Sequence, residues 1–131
     1  MQGKLMIGLL AATLAPLAAH AADDQDKRCA VSAWEFIHDQ TIPVTLSMPN
    51  DRKPCKIRKI TLQGGSVAKY TVATPAAHGD VEIKKNEAFY TPKAGFTGND
   101  KFVLAIAGKN PYAKPPMRTG QLDVTVKVAA P

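Results

Sequence analysis

From about residue 40 onward, apolar and polar side chains alternate one by one along much of the chain. Val44, Leu46 and Met48 are separated by Thr45 and Ser47, Val81 and Ile83 by Glu82, and Val124, Val126 and Val128 by Thr125 and Lys127. A period of two belongs to a strand with one dry face and one wet face, the pattern common in antiparallel sheets. Helical spacing never persists for three turns beyond the amino-terminal segment. Strands are predicted at 30–37, 42–48, 55–62, 67–73, 80–84, 87–91, 101–107 and 121–128. The first of these, AVSAWEFI, also suits a short helix. Lys85-Asn86 is the expected tight turn between two strands, because Asn accepts a positive φ. Ten prolines and nine glycines break the chain at short intervals, which fits a sandwich of short strands.

The amino terminus follows a different rule. Lys4 precedes an apolar run from Leu5 to Ala15, and small residues stand at Ala19 and Ala21. A short positive region, an apolar core too short to span a bilayer, and an A-x-A site describe a signal peptide over residues 1–21. An uncleaved membrane anchor is the alternative, and the short core argues against it. Residues 22–131 then form one domain, because 110 residues are too few for two. The expected location is periplasmic or secreted, with no stable membrane span in the mature chain.

Charge and cysteines refine this picture. Lys4 leaves with the leader, so sixteen basic residues face eleven acidic ones and the formal charge is +5. Such a chain favours anionic partners by long-range attraction that salt screens, although the lysines are spread along it and also serve solubility. The cluster Arg52, Lys53, Lys56, Arg58, Lys59 lacks the interleaved aromatics of nucleic-acid binders, so no nucleic-acid partner is expected. It reads instead as a solvated edge that discourages sheet-to-sheet pairing. Two cysteines in an exported chain, Cys29 and Cys55, point to one disulfide, since zinc-type spacings are absent.

Three segments, in order, carry a family resemblance. Pro75-Ala76-Ala77-His78-Gly79 is followed by the alternating Val81 and Ile83. YTPKAGFTGNDKF then runs from Tyr90 to Phe102, and a valine-alternating strand closes the chain from Leu122 to Val128. This stretch resembles the bacterial immunoglobulin-like, cadherin-like domains of exported proteins, with their "P-x-H-G-x-V" hairpin and "YTPxxGFxGxDxF" signature. The resemblance covers roughly the second half of the mature chain. It implies a single immunoglobulin-like antiparallel β-sandwich of about seven or eight strands. The signature also has a physical reading as a structural corner. Gly95 and Gly98 let the chain turn sharply, Phe96 plugs towards the core, and Asp100 accepts backbone hydrogen bonds. Phe102, Leu104 and Ile106 point inward. The chain departs from the family in carrying one copy and in having a longer segment at 108–120.

Candidate chemistry is sparse. His38 beside Asp39, and His78 near Asp80, lack a nucleophile elbow, so no catalytic residue is assigned and the protein is read as non-enzymatic. Asn50-Asp51 and Asn99-Asp100 lack the neighbouring carboxylates that calcium needs. A copper-handling sandwich is the alternative reading, with Met48 and Met117 as soft ligands and His20 as a terminal ligand only if cleavage falls after Ala19, but the methionines are more simply a core residue and a loop residue. No metal or other cofactor is expected. Two features are less ordinary. Val103, Ala105 and Ala107 make the outward face of strand 101–107 apolar, as if something covers it, and residues 22–37 are the expected cover. Residues 108–120 read as a proline-restricted loop, in which Lys109, Tyr112, Lys114, Met117 and Arg118 are the expected binding residues. The expected function is an exported binding or accessory module that recognises a protein or an anionic envelope polymer through end loops.

Overall fold

The computed structural model describes residues 27–37, 39–58, 66–109 and 114–131. The leader expected at 1–21 lies outside these residues, as do His38, Lys59 and Tyr112. Among the described residues eight strands follow one another: β1 (Ala30–Val31), β2 (Thr41–Pro49), β3 (Cys55–Lys56), β4 (Ser66–Thr74), β5 (Gly79–Lys84), β6 (Glu87–Pro92), β7 (Gly98–Lys109) and β8 (Met117–Ala129). They form a five-stranded sheet in the order β1-β2-β8-β7-β4 and a three-stranded sheet in the order β3-β6-β5.

The period of two explains how the sheets meet. One face of the larger sheet buries Leu46, Phe102, Leu104, Val124 and Val126, and the smaller sheet buries Cys55, Ala88 and Tyr90 in the same cluster. The result is an all-β, two-layer sandwich. Lys85 and Asn86 both have positive φ, 49° and 60°, and close the β5–β6 hairpin. Two positive φ values in a two-residue loop give a type I′ turn, whose twist suits the flanking strands.

Several expectations change. The sheets are not wholly antiparallel, because β2 runs parallel to β8 from Thr41↔Gln121 to Pro49↔Ala129. These strands come from opposite ends of the chain, so no tight turn dictates their relative direction. Strand 30–37 shrinks to Ala30–Val31, and residues 32–37 carry no regular structure. Even so, Trp34 and Phe36 are buried in the core cluster. The strand expected at 55–62 is regular only at Cys55–Lys56, with one further backbone bond from Ile57 N to Ala88 O at 2.9 Å. Its last four residues lie outside the described part.

Cys29 and Cys55 form a disulfide with Cα atoms 5.7 Å apart. It ties the segment entering the larger sheet to an edge strand of the smaller one. Arg28 reinforces the same junction by donating to Asp51 Oδ1 at 2.9 Å and to the Lys53 carbonyl at 3.0 Å.

Candidate binding face

The corner at 90–102 carries the chain from β6 in the smaller sheet to β7 in the larger one and fixes where β7 begins. Gly95 and Gly98 have φ of 76° and 121°, a region that L side chains rarely enter. Asp100 is buried at 3 % exposure, yet its carboxylate accepts four hydrogen bonds. Ala77 N and Lys101 N donate to Oδ1 at 3.1 and 2.9 Å, and His78 N and the Tyr90 hydroxyl donate to Oδ2 at 3.0 and 2.7 Å. Burial alone would raise the pKa of this carboxyl, but the bonds from Tyr90, Lys101, His78 and Ala77 outweigh it and hold the pKa below the usual value. Phe96 is half-buried against the core, with its ring stacked on His78 at 4.4 Å. Asn50 ties the corner to the larger sheet, its amide donating to the carbonyls of Lys93 and Phe96, both at 2.8 Å.

From this fixed start β7 runs twelve residues to Lys109, paired with β8 all the way to Lys109↔Met117. The loop expected at 108–120 is therefore mostly strand, and only residues 110–116 connect the two. Gly108 and Gly120 look like loop residues in the sequence, but both are paired in the ladder.

The longer hairpin changes which residues share a surface. Phe102, Leu104, Ile106 and Gly108 are buried, so Val103, Ala105, Ala107 and Lys109 point outward. Opposite them on β8, Gln121, Thr119 and Met117 pair with Ala105, Ala107 and Lys109. On the other side, β4 brings Thr71 beside Ala105 and Lys69 beside Ala107. The two candidates drawn separately from the sequence, the apolar face of β7 and the cations of 108–120, are thus one surface. Lys109 and Met117 stand directly above Ala107 and Thr119.

A groove of about 520 Å³ lies along this surface. Its floor includes Ala105 and Ala107, and Lys69, Thr71, Thr119 and Gln121 flank it. Residues 39–41 make the remaining wall, held by bonds from Asp39 N to Thr119 O at 2.7 Å and from Gln121 N to Gln40 O at 3.0 Å. Gly120 lets this wall approach, since a Cβ there would meet Gln40 O at 3.1 Å and Ile37 O at 3.2 Å. The cover expected from the amino-terminal segment is not provided by residues 27–37. Trp34 and Phe36 go into the core, and Val103, Ala105 and Ala107 remain partly exposed.

The remaining hairpin residues differ in their freedom. Lys109 and Lys114 are exposed and form no ion pair with a described residue, and Met117 is 51 % exposed. Arg118 is engaged internally. Its guanidinium donates to the carbonyls of Lys114 at 2.8 Å and Pro115 at 3.0 Å, and lies 3.5 Å from Asp39 Oδ2. It braces the turn against the groove wall. Among the described residues no three His, Cys, Asp or Glu side chains are grouped as metal ligands.

No family model matches the chain, and no curated protein matches it. The residues and geometry above are therefore the basis for a functional reading.

Proposed function

We propose that the chain is an exported, non-enzymatic binding module of immunoglobulin-like type. It holds a protein or an anionic envelope polymer against the outward face of β4, β7 and β8. The observation that carries this reading is the groove, where small apolar side chains form a floor beside hydroxyl, amide and ammonium groups. A solvated sheet face normally shows polar residues throughout, whereas this one offers apolar contact together with hydrogen-bonding groups that can orient a ligand. The hydrogen-bonded corner around Asp100 and the Arg118 brace support the reading, because a seat held in place loses less entropy on binding.

The test compares the purified domain with Ala105→Arg, which fills the floor, and Lys109→Glu. Each is checked for native circular dichroism and then passed over immobilised envelope extract. Retention of the parent and loss in both folded variants is the expected result. Equal retention of all three proteins places the binding surface elsewhere.

A further inference from the structure

We infer that the groove takes an extended acidic peptide segment of a partner protein, an inference that rests on reading this face as the binding seat. The charge of the ligand follows from the cations. Lys69, Lys109 and Lys114 are exposed and have no ion-pair partner among the described residues. Of the acids on this face, Asp39 in the groove wall already faces Arg118 at 3.5 Å, and Asp123 stands beyond the groove, paired with Val103. Carboxylates on an incoming ligand would complete the uncompensated lysines, which favours association by complementary charge. The same lysines disfavour a second copy, because copies meeting through this face would set like charges against each other.

The shape and chemistry of the seat select the polymer. The described face carries Val103, Ala105, Ala107 and Met117 as its apolar part and offers no aromatic platform on which rings could stack. Thr71, Thr119 and Gln121 supply donors and acceptors together, which matches the alternating N–H and C=O groups of an extended main chain. The alanines are small enough for that chain to lie close to the sheet, and Met117 offers a deformable apolar contact for an aliphatic side chain. The peptide lies across the face and not along the sheet edge. β4 is an edge strand, but its pairing with β7 shifts register between Val67 and Lys69 and again between Val72 and Thr74. Bulges of this kind bend an edge strand and discourage addition of another strand.

The experiment pans a library of random short peptides on the intact mature domain. Selected peptides are then titrated against the parent, against Ala105→Arg and against the double variant Lys69→Glu/Lys109→Glu. Both replaced lysines are solvent-exposed, so the double variant is expected to keep its fold, and its thermal melt checks this. Acidic peptides should dominate the selection, and their affinity should fall about tenfold or more in the double variant. Enrichment of neutral or basic peptides, or affinity unchanged by charge reversal, overturns the inference. Parallel titrations with polygalacturonate separate the two levels of the reading. If that polymer binds in an Ala105→Arg-sensitive way while no peptide does, the seat stands and the peptide assignment falls. If Ala105→Arg changes neither, the seat itself falls.

Discussion

Asp100 has lost nearly all contact with solvent but stays charged, because three backbone N–H groups and one phenol replace the water it gave up. The same arrangement acts on Tyr90. Burial first, and then donation to Asp100, hold its hydroxyl well above the ordinary tyrosine value. Gly79 belongs to this set for reasons of space and not of turning. A Cβ there would overlap the Tyr90 ring and displace the hydroxyl from Asp100. The carboxyl pKa is lowered in the folded chain, so its stabilisation is complete above the ordinary value near 3.8 and is lost as pH falls through the folded value. Asp100→Asn keeps the shape but turns an NH₂ group towards N–H donors. It should destabilise the domain at neutral pH by roughly 1–3 kcal/mol. Denaturant midpoints measured from pH 7 downward should stay apart until about pH 4 and converge only as the pH falls further, through the lowered folded value. Parallel curves across that range would show that the carboxylate charge does not hold the corner.

The hairpins show how far local pattern reaches. The period of two located β2, β5, β6, β7 and β8 to within a few residues, because each has one face in the core and one outside. It failed where glycine and proline were read as punctuation. Gly120 is a ladder residue whose missing side chain makes room for the carbonyls of Ile37 and Gln40, a need set by a segment eighty residues away. Residues 32–37 failed in the opposite sense, since alternating Trp34 and Phe36 announced burial but not an irregular backbone. The Lys85-Asn86 turn was legible, and its sequence is not the best one for its shape. Lys85 sits at φ 49°, where a long side chain is disfavoured and Asn is tolerated. Lys85→Asn should therefore raise stability by about 0.5 kcal/mol. Asn86→Gly should gain less, because it removes the bond from Asn86 Nδ2 to Val67 O at 3.2 Å that ties the turn to β4. Thermal melts of the two variants beside the parent test the order, and a larger gain from Asn86→Gly would show that this bond contributes nothing.

At the scale of the whole molecule, what was hidden in the sequence is everything that joins distant segments. Lys109, Met117, Ala105 and Ala107 were each visible as unusual, but Lys69, Thr71 and the wall at 39–41 carry no local signal. The topology that places β4 and β2 on either side of the β7–β8 pair brings them to the groove. The parallel pairing of β2 with β8 was hidden for the same reason. The cysteine pair is the exception, a long-range contact legible from composition. Its role follows from where it sits. Among the described residues the smaller sheet has three strands, and β3, one of its edges, is two residues long there, so that described edge adds little pairing of its own. The disulfide anchors it, with Cys29 at 2 % and Cys55 at 0 % exposure. Closing a loop of this size restricts the unfolded chain by roughly 3–4 kcal/mol in the chain-entropy model, a large part of a small domain's stability. Replacing both cysteines by alanine should lower the unfolding free energy by about that amount. The loss should appear mainly as faster unfolding if the smaller sheet joins the larger one late in folding. Burial gives a second expectation. A thiol reductant should leave the disulfide intact in the native protein and cleave it rapidly once denaturant opens the core, as thiol labelling followed by mass spectrometry would show. Rapid cleavage under native conditions would mean that this edge of the sandwich opens locally, without unfolding of the whole.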